Sequence, residues 1–194
     1  MTTEELRESL MMSPKNGYAA LTAQQREDMN AYIKRYMSFM DACKTEREAT
    51  AWTVAEAEKL GFKPFVPGMD AKPGDKIYYN NHNKAIALAV IGQESLAKGV
   101  NICAAHVDSP RMDLKPNPLY EDSEIAYFKT HYYGGIKKYQ WVTTPLALHG
   151  VVYRKDGSMI TVTIGEEDTD PVLMISDLLI HLSADQMKKT LAEG

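Results

Sequence analysis

The chain has 194 residues, of which 44% are hydrophobic and 25% charged, a composition typical of a globular protein and not of a disordered one. Its net charge of −4 and pI of about 5.8 argue against a protein that binds nucleic acid by neutralising phosphates. The N-terminus lacks the apolar core of a signal peptide, and no window approaches the ~18 apolar residues of a membrane span. Cys43 and Cys103 occur in apolar patterns that favour buried, reduced thiols. We therefore expect a cytoplasmic protein without nucleic-acid or membrane partners.

Two helices are predicted ahead of the first strands. The pair Thr22 and Gln25 forms a capping-box pattern at the head of an apolar stripe with helical spacing, which predicts a helix with a packing face. The stripe consists of Met29, Tyr32, Ile33, Tyr36, Met37 and Met40. A second capping box, Thr45 and Glu48, begins a helix that we expect to run to about Leu60, with Gly61 supplying a left-handed stop.

Three apolar segments then predict the strands of a sheet. They are residues 77–79, 85–91 and 99–105, with a polar turn around His82 between the first two. The last two segments contain almost no polar alternation, which is typical of strands buried on both faces. The pattern therefore predicts the central sheet of an α/β domain covered by helices.

The chain becomes rich in β-type residues after residue 116. Residues 146–153 and 158–164 flank Asp156 and Gly157, a dipeptide that strongly indicates a hairpin turn. Residues 172–194 are predicted to be mostly helical. We expect a second, antiparallel β domain with a helical tail.

The strongest candidate for chemistry is the segment around His106 and Asp108, at the end of the third apolar segment. Ligands of α/β sheets bind beyond the carboxyl ends of strands, and a neutral imidazole there can bind Zn²⁺. Side chains two residues apart in extended backbone point to the same side, so Asp108 is expected beside His106, orienting the imidazole or a neighbouring catalytic group. On spacing alone, H-x-D does not distinguish a metal ligand from an ordinary core or loop histidine.

A longer stretch of the sequence around His106 distinguishes between these alternatives. Residues 102–115 resemble the first metal-ligand segment, G/A-H-x-D-S-P-x-L/M-x-x-K, of the aspartyl aminopeptidases. Three further stretches resemble that family in the same order: residues 76–79 with 84–90, residues 133–135 with Trp141 and 145–152, and residues 177–182. The chain thus resembles the N-terminal portion of a dizinc metallopeptidase of the aspartyl aminopeptidase, or aminopeptidase I, family.

The resemblance implies an α/β fold, with the N-terminal part of a three-layer zinc-peptidase-like catalytic domain over residues 1–115. A β-rich dimerisation insertion would follow over residues 116–194. The implied activity is removal of N-terminal, acidic residues from peptides by a centre of two zinc ions. The implied assembly is a homo-oligomer built from dimers, with twelve subunits the usual form in the family.

Three residues take roles from this resemblance. His106 would be a zinc ligand and Asp108 its catalytic-site companion. His181, in Ile-His-Leu, would reach the active site of the neighbouring subunit and contact substrate. From the sequence alone, an ordinary packed or capping histidine is the simpler interpretation of His181, and only the resemblance brings the substrate-binding role level with it.

Other candidates are interpreted as structural. Glu166 and Glu167 follow the second hairpin strand in an acidic run that favours a solvated loop, not a zinc site. His131 and His149 have no carboxylate or cysteine at ligand spacing. Cys103 lies in a predicted core strand, which argues against nucleophilic catalysis.

His106 is the only zinc ligand that the sequence supports, whereas a catalytic zinc normally takes three from the protein. We therefore expect a truncated, cleaved or partly represented enzyme whose isolated 194-residue chain is inactive. The alternative is a non-catalytic interaction protein that kept the dimerisation surface of the family.

Overall fold

The structure is a computed structural model that describes residues 2–12, 14–191 and 193. Its elements are mixed α and β, as predicted. The chain divides into two compact units, Met1–Ala42 and Cys43–Gly194. None of the helices formed by the described residues is long and apolar enough to cross a membrane.

The N-terminal unit contains helices α1 (Thr3–Leu10) and α2 (Ala23–Ala42). The predicted capping box of α2 is present: Thr22 Oγ1 accepts from the Gln25 amide at 3.2 Å, and the Gln25 side chain accepts from the Thr22 amide at 2.9 Å. The apolar stripe is exposed within its own unit, with Tyr32 71% exposed. The helix is therefore confirmed, but the described residues of that unit do not bury most of the stripe.

The second unit begins with helix α3 (Glu46–Lys59), whose Thr45–Glu48 capping box is present as predicted. Gly61 follows the helix with a φ of 86°, the left-handed stop expected from the sequence. Helix α3 packs on the first sheet of this unit. The small core lies at this contact and includes Ala49 and Ala57 of the helix.

The first sheet has the order β1 (Lys63–Pro64), β2 (Lys76–Asn81), β3 (Ala85–Val90). Strands β1 and β2 are parallel, and β2 and β3 form an antiparallel hairpin that turns at His82, as expected. The prediction that β3 is buried on both faces is wrong, since Val90 is 61% exposed. Helix α3 covers one face of this sheet.

The predicted strand at residues 99–105 is also wrong, because residues 100–110 contain neither helix nor strand. A strand exists only when a neighbouring strand accepts and donates its backbone hydrogen bonds, and none of the described strands pairs with this segment. Ile102 is 81% exposed, and Cys103 is exposed as well, contrary to its predicted burial. Both cysteines are free thiols, as expected.

Two hairpins follow. Strands β4 (Arg111–Asp122) and β5 (Ile125–Tyr133) form the first, which the sequence analysis did not predict. Strands β6 (Leu148–Tyr153) and β7 (Met159–Ile164) form the second, which confirms the predicted hairpin around Gly157. Strand β4 runs through the expected domain boundary at 115/116, and that division of domains stays a prediction.

The prediction of a helical tail is wrong for the described residues. Leu173 and Ile175 form isolated bridges with Leu146 and Val142, which use backbone groups that a helix would need for itself. Farther along, the part of the tail that the structure describes forms two short 3₁₀ helices, Ile180–Leu182 and Gln186–Lys188. Residues 192 and 194, within the predicted helix, lie outside the described residues.

Candidate functional site

His106 lies in the irregular segment between the first sheet and strand β4. Its side chain is 83% exposed. Nδ1 of the ring lies 2.9 Å from the backbone carbonyl oxygen of Asp108 and 3.2 Å from the carboxylate oxygen Oδ1 of the same residue. The i, i+2 spacing therefore brings the two side chains together, as the sequence predicts.

The contact at Nδ1 decides the state of the other ring nitrogen. A carbonyl oxygen can only accept a hydrogen bond, so Nδ1 of His106 must be the donor. In a neutral ring the lone pair then belongs to Nε2, on an exposed side chain. Metal-binding histidines commonly have this arrangement, with one nitrogen donating to a carbonyl or carboxylate and the other free for the ion.

Asp108 has a second partner that the sequence gave no reason to expect. Its oxygen Oδ2 accepts a 2.7 Å hydrogen bond from the hydroxyl of Tyr133, at the end of β5. This bond, together with the smaller attraction of the nearby His106, lowers the pKa of Asp108 below its ordinary value. The carboxylate is therefore charged at neutral pH and can accept from the imidazole.

His181 lies in the 3₁₀ helix Ile180–Leu182 and is exposed. Among the hydrogen bonds and ion pairs of the described residues, none joins His181 to His106 or Asp108. The ordinary packed histidine, one of the two alternatives from the sequence, does not fit its exposure. Its role at a neighbouring subunit stays a prediction.

No group of three or more histidine, cysteine, aspartate or glutamate side chains in the described part of the chain could hold a metal ion. The described residues therefore do not by themselves surround a metal ion.

His149, which the sequence analysis interpreted as structural, bridges two glutamates that its neighbours in sequence do not indicate. Its Nδ1 lies 2.8 Å from Glu48 at the start of α3, and its Nε2 lies 2.7 Å from Glu166 after β7. Burial alone would lower the pKa of His149, but the hydrogen bonds to the two glutamates outweigh burial and raise it. Glu48 is 101 positions away, so no local pattern could have identified the pair.

This cluster also corrects the interpretation of the acidic loop. Glu166 does not merely face solvent, since its carboxylate lies 2.7 Å from Nε2 of His149 at the end of the β6–β7 hairpin. Both nitrogens of the ring face carboxylates, which only accept, so both must be donors. A ring in that state has no lone pair for a metal.

An open cleft of about 490 Å³ begins at Pro110, four residues after His106. Its lining comprises Pro110, Gly135, Ile136, Lys137, Gln140 and Trp141. The cleft combines an aromatic wall with a cation. Its lining begins next in sequence to the histidine segment.

The chain is also similar in sequence to known proteins. A family model described as aminopeptidase I zinc metalloprotease (M18) matches residues 39–193. The chain is 46% identical over 184 residues to a probable M18 family aminopeptidase 1 of Clostridium acetobutylicum, covering 93% of this chain and 40% of that protein. It is 48% identical over 164 residues to the protein of the same description from Thermotoga neapolitana, covering 84% and 36%. The chain therefore spans about 40% of the length of the curated relatives that it matches.

Solved structures agree. The crystal structure of aminopeptidase I from Borrelia burgdorferi B31 matches with a TM-score of 0.81 and 41% identity, covering 86% of this chain and 41% of that one. An M18 family aminopeptidase from Thermotoga maritima matches with a TM-score of 0.82 and 42% identity, covering 94% and 39%. The S. cerevisiae mApe1 dodecamer, at 21% identity and a TM-score of 0.63 over 75% of this chain and 35% of that one, shares the fold. The chain therefore belongs to the M18 family of aminopeptidase I zinc metalloproteases.

Proposed function

We propose that the intact protein carrying this chain is a two-zinc aminopeptidase in which Nε2 of His106 is a zinc ligand. The observation that carries this proposal is the exposed imidazole whose Nδ1 is bound by Asp108, which leaves Nε2 free. A catalytic zinc takes about three protein ligands. Because this chain spans about 40% of its relatives' length, we assign the remaining ligands to parts of the protein outside it.

Zinc ions bound at such a centre would supply polarisation of the scissile carbonyl and activation of the attacking water. The residues of this chain prepare the ligand. Asp108, charged and fixed by Tyr133, accepts from Nδ1 of His106 and so keeps the ring oriented. Asp108 is thereby the catalytic-site companion of the metal ligand.

The most direct experiment compares the intact protein with the isolated 194-residue chain. The intact protein is expected to contain zinc, to release N-terminal residues from peptides, and to lose this activity to a chelator and regain it with zinc. The isolated chain is expected to have negligible activity, because it supplies one ligand. A zinc-free intact protein without peptidase activity would instead favour the non-catalytic interaction protein, and chelator-sensitive turnover by the isolated chain would contradict the assignment of missing ligands.

The preferred substrates in this proposal carry an acidic N-terminal residue. Lys137 lines the cleft beside the histidine segment and offers a charge partner for a carboxylate. A solvent-exposed ion pair contributes up to about 1 kcal/mol, so Lys137→Met should lower kcat/KM for N-terminal Asp or Glu substrates by roughly two- to fivefold. Substrates with N-terminal Leu should be unaffected, as should the Lys138→Met control on either substrate. An equal loss on acidic and apolar substrates would contradict this role.

We further propose a homo-oligomer built from dimers, in which His181 contacts substrate in the neighbouring subunit. Its exposure on a short 3₁₀ helix supports a contact of this kind. The dodecamer named for the yeast relative suggests twelve subunits.

Mixed subunits test this arrangement. In a dimer that pairs a His106→Ala subunit with a His181→Ala subunit, one of the two sites keeps both histidines if His181 acts across the interface. Random mixing should then restore about a quarter of wild-type activity, although each variant alone is inactive. No recovery in confirmed mixed oligomers would contradict action between subunits.

A further inference from the structure

Tyr133 ends strand β5 beside the segment that carries His106 and Asp108. Its hydroxyl donates to Oδ2 of Asp108 over 2.7 Å, while the other carboxylate oxygen, Oδ1, lies 3.2 Å from Nδ1 of His106. The two oxygens of one carboxylate therefore have separate partners. Rotation of the Asp108 carboxylate would break both contacts, so the tyrosine hydroxyl fixes the plane of the group that faces the imidazole.

Tyr133 is itself held by the neighbouring strand. It lies directly opposite Arg111 in the β4–β5 ladder, and the guanidinium carbon of Arg111 lies 4.1 Å from the centroid of the tyrosine ring. Nε of Arg111 donates to Asp113 over 2.7 Å, and Nη1 lies 3.5 Å from Glu46 at the start of α3. Because Arg111 is fixed from two sides, the aromatic ring that it covers has a defined position.

The segment that needs this support has little of its own. Residues 100–110 form neither helix nor strand, so no backbone ladder sets the direction of Asp108. The end of the hairpin also approaches this segment closely, since a Cβ placed on Gly134 would lie 3.5 Å from the Cα of Pro110. The hairpin therefore meets the histidine segment at two adjacent points, one through the backbone and one through the tyrosine hydroxyl.

We propose that Tyr133 is a positioning residue for the zinc ligand, acting through Asp108 to hold the ring of His106 with Nε2 directed outward. The inference rests on the proposed function, because the direction of Nε2 matters only if that nitrogen binds zinc. Without the hydroxyl, Asp108 and His106 rotate more freely. The metal is then bound less tightly and the catalytic centre is less well ordered, although no contact with the substrate is lost.

The test is Tyr133→Phe in the intact protein, which removes one oxygen and keeps the ring over which Arg111 lies. Zinc affinity is measured by competition with a fluorescent zinc chelator, kcat and KM are measured at saturating zinc, and Tm is recorded. Loss of a group that orients a metal ligand should weaken zinc affinity and lower kcat by about tenfold each, with KM changed by less than about twofold. Tyr132→Phe is the matched control: the ring of Tyr132 stacks on His131, whereas the hydroxyl that bonds to Asp108 belongs to Tyr133, so this variant should change none of these values.

Each contrary result has a distinct meaning. If Tyr133→Phe matches Tyr132→Phe in zinc affinity and kcat, the positioning role is wrong and the proposed function survives. A lower Tm with unchanged zinc affinity and kcat also overturns the role, because the hydrogen bond would then only join the hairpin to the segment. If the wild-type intact protein binds no zinc and cleaves no peptide, the proposed function fails, and this inference fails with it.

Discussion

His106 and His149 belong to the same compact unit but have opposite surroundings. The side chain of His106 is 83% exposed, and one nitrogen of its ring is bonded. The side chain of His149 is 12% exposed, and both nitrogens are bonded to carboxylates. The first ring therefore keeps a lone pair for a metal, whereas the second is held as a cation between two elements of the fold.

The contrast teaches that the partners of a histidine, and not its neighbours in sequence, decide what it can do. The donors and acceptors around His106 are compatible with metal binding on one side. The two carboxylates around His149 join the start of α3 to the β6–β7 hairpin and leave neither ring nitrogen with a free lone pair. Substitutions of the two histidines test this difference, and a substitution in the hairpin beside His106 has the smallest expected effect.

The His106→Ala variant of the intact protein should lose the most. Removing a residue that merely orients a metal ligand costs about 10–100-fold, so loss of the ligand itself should lower kcat/KM by more than about 100-fold. His131→Ala is the control, because that exposed ring stacks on Tyr132 and has no part in the proposed site. Peptidase assays at saturating zinc measure the effect. Wild-type turnover by His106→Ala would contradict the proposed role of His106 as a metal ligand.

The His149→Gln variant should instead lose stability. Hydrogen bonds to charged groups contribute about 1.5–3 kcal/mol each, and the Glu166 partner is 41% exposed, so we expect a loss of about 2 kcal/mol. Thermal unfolding of the intact protein should show a lower Tm. Zinc content and kcat should stay close to wild type at temperatures well below the transition, and loss of zinc would mean that the two histidines are not functionally separate.

The stabilising effect of the His149 cluster should depend on pH in a defined direction. The raised pKa of His149 means that its contribution is complete below the ordinary value of 6.5 and is lost as pH rises through the raised value. Burial opposes the charge on Glu48, but hydrogen bonds from His149 and nearby groups lower its pKa, so its contribution is complete above 4.5 and is lost as pH falls through the lowered value.

The difference in Tm between wild type and His149→Gln should therefore be largest between about pH 4.5 and 6.5 and should shrink on both sides. Measuring both proteins across that range in one buffer series checks the sign. A difference that grows steadily above pH 7 would contradict a charged His149.

The smallest effect concerns the hairpin beside His106. Gly134 has a φ of 74°, so Gly134→Ala should cost about 1 kcal/mol in the free energy of unfolding from backbone conformation alone. A Cβ at the neighbouring Gly135 meets nothing within 4 Å, and Gly135→Ala should be neutral. Equal effects of the two substitutions on Tm would show that the left-handed conformation of Gly134 is not required.

Local signals predicted much of the fold. The capping boxes at Thr22 and Thr45 marked helix starts correctly because their partners lie three residues away. The β6–β7 hairpin followed from the dipeptide at Asp156 and Gly157 for the same reason. Each of these features is decided by residues close in sequence.

Features that depend on distant partners escaped prediction. The apolar segment at 99–105 has the composition of a strand, but no described strand pairs with it. Strand β4 was missed because its register shifts between Leu114 and Leu119, a stretch with two prolines that hides the alternation of an ordinary strand. The prediction of a helical tail was wrong for a similar reason, since backbone β-bridges to Leu146 and Val142 form there instead of the expected helix.

The contacts of the candidate site also divide into local ones, which the sequence predicts, and distant ones, which it does not. The sequence placed Asp108 beside His106 because they are two residues apart. Tyr133 is 25 positions from Asp108, and Glu48 is 101 positions from His149, so neither contact leaves a local pattern. The zinc, substrate and subunit roles of His106, Asp108 and His181 stay predictions.

Zinc content tests the central difference most directly. The intact protein is prepared as wild type, His106→Ala and His149→Gln, equilibrated with the same limiting free zinc, and analysed for bound metal per subunit by mass spectrometry. We expect His106→Ala to retain less zinc than wild type and folded His149→Gln to retain the wild-type amount. Full retention by His106→Ala, or loss confined to His149→Gln, would contradict it.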